Sequence, residues 1–144
     1  MMTDMKPDNP DFAAVVRASF ARQGLMTTLG ARLFAIAPGH VVIEATLVPS
    51  LTQQQGLFHG GVVGALADSA GGYAALSLMP AGAEVVTVEY KINFMRGAIG
   101  PLLRATGHVL RLGRTLSVAR IDVTSGPDDR QQSCAVLQAT FMRV

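Results

Sequence analysis

The stretch Gly60-Gly61-Val62-Val63-Gly64-Ala65-Leu66-Ala67-Asp68-Ser69-Ala70-Gly71-Gly72-Tyr73-Ala74-Ala75-Leu76-Ser77-Leu78-Met79 reads as one long helix buried on all sides. It is rich in Ala, Leu and Gly, it lacks the alternation of a strand, it is too long for one, and Pro80 stops it. The chain after it has a different texture. In Val85 to Met95, Val86, Val88, Tyr90, Ile92 and Phe94 alternate with Thr87, Glu89, Lys91 and Asn93, which predicts a strand buried on one face. Leu102 to Leu112 and Thr115 to Ser125 predict two more strands joined by a tight turn at Gly113-Arg114, and Gln132 to Arg143 a last one after Gly126-Pro127-Asp128-Asp129. Ahead of the helix, Arg32 to Ala37 and His40 to Val48 predict a hairpin around Pro38-Gly39. Earlier still, Phe12, Val16 and Phe20 recur at helical spacing, with Asn9 as cap, Pro10 in the first turn and Gly24 at the exit. A lone buried helix followed by a meander of strands predicts an α+β domain whose sheet curls around that helix.

The 144 residues have room for one domain, spanning 1–144, with the polar start from Met1 to Asn9 expected to be loose. Hydrophobic residues at 49% against charged residues at 15% exclude a disordered chain and favour an oligomer that hides apolar surface. Lys and Arg number 12 against 10 Asp and Glu, a margin too small to support nucleic-acid binding. The single cysteine, Cys134, makes no internal disulfide, and no signal-peptide start is visible. Pro49 and Gln53-Gln54-Gln55 break the uncharged run from Ala45 to Ala67, so no membrane span is expected and the expected setting is soluble, reducing and cytoplasmic. The three histidines show no metal-ligand spacing and there is no nucleotide-binding glycine loop, so neither metal nor cofactor is expected.

Between Glu44 and Glu84 the only charged side chain is Asp68, in the middle of the apolar helix. An unpartnered buried carboxylate costs several kcal/mol, so this acid is either a hydrogen-bonded structural residue or a reactive group. Gly64, Asp68, Gly71, Gly72 and Ala75 fall on or near one stripe of the helix, which either leaves a channel beside the carboxylate or allows close packing against a neighbour. Gly60 and Gly61 open the helix without side chains to obstruct its free amides, a site for an oxyanion or carbonyl oxygen. His59, just before them, is read as an organiser of that site rather than a catalyst. Cys134 lies in a strand with no base nearby in sequence and is not a nucleophile candidate.

Gly56-Leu57-Phe58-His59-Gly60-Gly61, Asp68 nine residues past the His, Gly72-Tyr73-Ala74-Ala75, and Val88-Glu89-Tyr90-Lys91-Ile92-Asn93-Phe94-Met95 together resemble the hotdog-fold acyl-CoA thioesterases of the phenylacetate-degradation, PaaI-like, family. The resemblance runs over most of the chain. It implies that Asp68 activates water or attacks the thioester, that the Gly60 amide polarises the carbonyl, and that Gln53, six residues before the His, orients water or substrate. It also implies a Ser or Thr near the carboxylate, here Thr87, an acyl-CoA substrate and dimers with shared sites, with tetramers of such dimers. Many relatives carry Asn where this chain has Gln53. Arg96, Arg111 and Arg114 sit at strand ends where charge-assisted contacts could hold coenzyme A phosphates.

Spacing adds an independent constraint. Gly60 and Asp68 are eight residues apart, about 12 Å along a helix, too far to serve one carbonyl group from one chain. Two helices packed antiparallel about a twofold axis would set Gly60 of one copy against Asp68 of the other. Two other activities fit parts of the pattern: a hotdog-fold enoyl-CoA hydratase or dehydratase, which adds a His facing the acid, and a non-catalytic acyl-CoA-binding protein, which has no need of a buried carboxylate.

Overall fold

The computed structural model describes residues 4–144. One antiparallel sheet contains β1 (Arg32–Ala37), β2 (His40–Thr46), β3 (Val85–Phe94), β4 (Leu102–Leu112), β5 (Leu116–Gly126) and β6 (Gln132–Arg143), in the order β1-β2-β4-β5-β6-β3. The helices are α1 (Phe12–Arg22), α2 (Gly24–Thr28) and the long α3 (Gly60–Leu76). The α+β expectation holds, with the sheet wrapped around α3. No helix among the described residues is long and apolar enough to cross a membrane.

Alternation explains how α3 is held. Leu103, Ala105 and Val109 of β4, Ala119, Ile121 and Val123 of β5, and Leu137, Ala139 and Phe141 of β6 are buried in one core with Val63, Leu66, Ala67, Ala70 and Ala74 of α3. Their strand neighbours Arg104, Thr106, His108, Arg120, Asp122 and Gln138 project from the other face of the sheet, as the period of two requires. Small residues set the depth at which the helix sits. A Cβ on Gly107 would stand 2.5 Å from the Ala70 carbonyl oxygen, so the backbones of β4 and α3 touch there.

On the outer face, Glu44 of β2 is fully buried between two arginines. Arg104 Nε donates to its Oε1 at 2.7 Å and Arg32 Nη2 to its Oε2 at 2.6 Å. The Arg104 guanidinium also stacks on the Phe34 ring, 5.0 Å from its centroid.

Besides ends that fall a few residues short, α3 at Leu76 rather than Met79 and β2 at Thr46 rather than Val48, the structure departs from the sequence reading in four places. Gly24 does not end the first helix: α1 stops at Arg22, Gln23 is extended, and Gly24 opens α2. Asn9 does not cap α1 either, because Asp11 holds that position and the Asn9 side chain accepts the Asp11 N–H at 3.0 Å. Residues 4–9, expected to be loose, lie along the body: the Asp8 amide donates to the Leu78 carbonyl and Asn9 is 8% exposed. Residues 1–3 fall outside the described residues.

The fourth departure concerns β3. It is an edge strand, and Val86, Val88, Tyr90 and Phe94 are all exposed rather than buried on one face. A bulge between Thr87 and Glu89 also changes the phase of its side chains: Thr87 pairs with Phe141, Tyr90 with Ala139, Ile92 with Leu137 and Phe94 with Ala135. Those partners all face α3, so Thr87 shares the helix side with Tyr90, Ile92 and Phe94 although simple alternation puts it opposite them.

Candidate active site

A compact turn delivers the chain to the start of α3. Gln53 N–H bonds to Leu57 O at 2.9 Å, Gly56 N–H bonds back to Gln53 O at 3.1 Å, and Gly56 takes a φ of +81° that only glycine adopts freely. The Gln53 carboxamide is spent inside the same turn, accepting from the amides of Gln55 and Leu57 and donating to the Gln55 side chain. Two backbone bonds then fix the approach, Phe58 N–H to Ala98 O and His59 N–H to Leu51 O, both at 2.9 Å.

His59 is the N-cap of α3, its Nδ1 accepting the Gly61 N–H at 2.8 Å. That bond puts the ring hydrogen on Nε2 and makes the organising role of His59 concrete. It also occupies the Gly61 amide, which the sequence offered as a ligand donor. The Gly60 N–H donates to no acceptor among the described residues and sits at the positive end of the helix dipole. Gly60 lines a cavity of about 450 Å³ with Gln53, Phe94, Arg96 and Cys134. Arg96 is held there by a hydrogen bond to the Gln132 side chain. Cys134 is buried, and burial pushes its thiol above the ordinary range, away from nucleophile behaviour.

The acid lies two turns on. Half-buried Asp68 accepts a hydrogen bond from Thr87 Oγ1 on β3 at 2.8 Å. Burial raises the carboxyl pKa and the Thr87 bond offsets part of the rise, which leaves a carboxylate more basic than an exposed one. Asp68 and Thr87 line a second cavity of about 430 Å³. Its wall includes a side-chain relay absent from the sequence reading: Ser69 Oγ donates to Gln23 Oε1, and Gln23 Nε2 donates to the Tyr73 hydroxyl, both at 2.9 Å. Only the adjacency of Ser69 to Asp68 hinted at it, since Gln23 lies 46 residues away.

The stripe of small residues serves both readings: Gly64 packs against β3 and Gly71 against Ile121 of β5 and Phe141 of β6, while Gly72 lines the cavity beside Asp68. A Cβ on Gly60 would meet the Phe94 ring at 3.2 Å and one on Gly64 the Tyr90 hydroxyl at 3.2 Å, and Asp68 faces Thr87 one step further along. Gly60 and Asp68 thus open into separate cavities, as the helix-length estimate requires. Arg111 and Arg114 lie elsewhere. Arg111 follows a bulge near the end of β4, and Arg114 lines a third cavity of about 220 Å³ with Asp8, Leu78, Pro80 and Arg143.

Residues 55–131, more than half of the chain, match the thioesterase superfamily. The chain belongs to that superfamily. A thioesterase family protein from Silicibacter pomeroyi is 43% identical, with a TM-score of 0.90 over 92% of this chain and 98% of that one. Human acyl-coenzyme A thioesterase 13 is 32% identical over 113 residues, 77% of this thioesterase and 80% of the relative. The PaaI protein of the E. coli phenylacetic acid degradation operon, at 23% identity, has the same fold with a TM-score of 0.83 over 93% of this chain and 94% of its own. The expected hotdog-fold thioesterase is therefore met, and the solved structures that share its fold include a PaaI protein.

Proposed function

We propose that this thioesterase hydrolyses an acyl-CoA thioester to a carboxylic acid and free coenzyme A, with Asp68 as general base or nucleophile. The observation that carries this reading is the Asp68 carboxylate itself, made more basic by burial and oriented by Thr87 in the lining of a cavity. In the base form, Asp68 takes a proton from water, the water oxygen bonds to the thioester carbon, and the carbonyl oxygen becomes an oxyanion on the Gly60 N–H. Collapse of that intermediate breaks the C–S bond, and the departing thiolate takes the proton that Asp68 removed from water, which restores the carboxylate. The chemistry calls on no metal and no cofactor beyond the coenzyme A of the substrate. His59 holds the helix start in shape, leaving the Gly60 amide as the donor. Gln53 acts through the turn it closes, since its carboxamide is already engaged there. Of the three arginines read as phosphate ligands, Arg96 shares a cavity with Gly60 and is the favoured one.

The site needs a second copy of the chain. β3 is a free sheet edge that exposes apolar side chains, Tyr90 and Phe94 on the side of α3 and Val86 and Val88 about the bulge. Pairing of two such edges would lay the two α3 helices side by side and bring Gly60 of one copy to Asp68 of the other, with a tetramer as a pair of these dimers. The free, buried Cys134 accords with work in a reducing cytoplasm. Neither the Gly60 nor the Asp68 cavity is lined by a histidine, which removes support from a hydratase or dehydratase.

Two measurements test this. Thiol release across aryl and aliphatic acyl-CoAs should exceed the uncatalysed rate; binding without turnover would convert the protein to an acyl-CoA carrier. Mixing inactive Asp68→Asn with inactive Gly60→Pro should restore up to one working site per heterodimer. No recovery, with heterodimers shown to form, would place both groups in one chain's site.

A further inference from the structure

Two of the three histidines meet on the outer face of the sheet, away from both cavities just described. His40 of β2 and His108 of β4 are register partners, 68 residues apart in sequence, and their Nδ1 atoms stand 3.1 Å from each other with ring centroids 4.7 Å apart. Their strand neighbours Val41 and Gly107 face α3, so the two imidazoles project from the opposite face, where both are partly exposed. We propose that His40 and His108 form a two-imidazole site for a divalent transition-metal ion of the zinc, nickel and copper class.

The 3.1 Å contact is a hydrogen bond in which one Nδ1 carries the hydrogen, and an ion takes its place once both rings hold their hydrogen on Nε2. An ion about 2.0–2.1 Å from each nitrogen in tetrahedral coordination separates the two nitrogens by about 3.3 Å, close to the spacing already present. Imidazole nitrogen is a ligand that these borderline ions prefer over water or carboxylate oxygen. Burial and the neighbouring ring hold the His40 pKa below the ordinary value, so this ring is neutral and able to bind at neutral pH. The nearest charges are not a barrier. On β5, Arg120 pairs in register with His108, and its guanidinium is engaged by Asp122 at 2.9 Å; on β1, His40 faces Ala37. No third His, Cys, Asp or Glu completes a ligand set among the described residues, so water fills the remaining positions. A bound ion would clamp β2 to β4 and has no path to the Asp68 carboxylate, which lies on the other side of the sheet.

Untagged protein, stripped with a chelator and titrated with Zn²⁺ or Ni²⁺, should take up one ion per chain and gain about 3 °C or more in Tm at saturation. Uptake should fall as pH drops through the imidazole range, because protons compete for the same nitrogens. His40→Gln and His108→Gln should each lose at least tenfold in affinity while acyl-CoA turnover stays at the level of the parent. Electron paramagnetic resonance of the Cu²⁺-loaded parent should report two nitrogen ligands, a reading that does not depend on the variants folding. Absence of uptake, copper spectra with one or no nitrogen, or equal uptake by the double variant would each overturn the assignment. Because the pair lies away from the catalytic cavities, those outcomes leave the thioesterase reading untouched.

Discussion

Thr87 Oγ1 donates to Asp68 Oδ1 at 2.8 Å, fastening the edge strand to the middle of the buried helix across 19 residues of sequence. The bond favours the ionised form of the acid, against the burial that opposes it. Thr87→Val should therefore let the Asp68 pKa climb further, and the acid limb of the kcat/KM profile should move to higher pH. Thr87→Ser should restore it. A profile that ignores both changes would separate Thr87 from the reacting carboxyl.

Asp68→Asn keeps the size of the side chain and its ability to accept from Thr87 while removing the base. We expect kcat to fall by about 100-fold or more. Stability should move the other way. The pKa of Asp68 is raised in the folded state, so ionisation is less favourable there than in the unfolded chain, and the folded protein bears a cost at pH values above that raised pKa. The cost shrinks as pH falls through the folded pKa and vanishes below the unfolded one. Asp68→Asn should thus have the higher Tm at pH 7 and lose the advantage in acid, which thermal melts across pH would read directly.

Much of this architecture is legible in the chain. Three strands, Arg32–Ala37, Leu102–Leu112 and Gln132–Arg143, have the bounds that their patterns predict, and the start of α3 at Gly60 follows from its change of texture. Asp68 stands out because it is the only charge in an apolar helix. The rest was hidden for physical reasons. A bulge leaves no mark in alternation, so alternation puts Thr87 on the wrong side of β3, and edge position rather than composition exposes that strand. Gln23 and Ser69 meet only because α1 stops early, and His40 meets His108 only through strand register. Neither pairing has a spacing to detect.

Glycine substitutions should rank by what the new methyl group meets. A Cβ on Gly71 would press on side chains, 2.7 Å from Ile121 Cδ1, and these can shift at a cost of about 1–3 kcal/mol. On Gly107 it would press on the Ala70 carbonyl, which belongs to the helix backbone. Gly107→Ala should be the more damaging of the two in urea unfolding. Equal losses would show that α3 can lift from the sheet.

The charge cluster on the outer face predicts unequal partners for Glu44. Arg104 is largely covered, with 23% side-chain exposure, whereas Arg32 is 65% exposed. Arg104→Met should cost about 3–5 kcal/mol, as removal of a partner from a buried ion does, and Arg32→Met should cost less because water can replace it. Chemical denaturation of both variants checks the ratio.

Acid should also weaken the sheet between β2 and β4. His40 has a lowered pKa in the folded protein, so the unfolded chain binds its proton more readily. Stability is then lost as pH falls through the ordinary imidazole range. The groups facing it are His108 and Ala37, with Arg120 beyond His108 already matched by Asp122. In the presence of a chelator, His40→Gln should flatten the decline of Tm between neutral and mildly acidic pH.

Val88 is one residue more than its partner strand can match, and β3 is thereby divided into two halves that read in opposite phase. Toward its beginning, odd-numbered positions address the helix; beyond the bulge, even-numbered ones do. Deleting Val88 would merge the halves into a single phase. The strand could then offer Thr87 to the acid or Tyr90 and Phe94 to the glycines of α3, but not all three. A change of one residue inside any strand turns the side chains beyond it to the other face, and here that turn would decide whether the carboxylate keeps its hydroxyl.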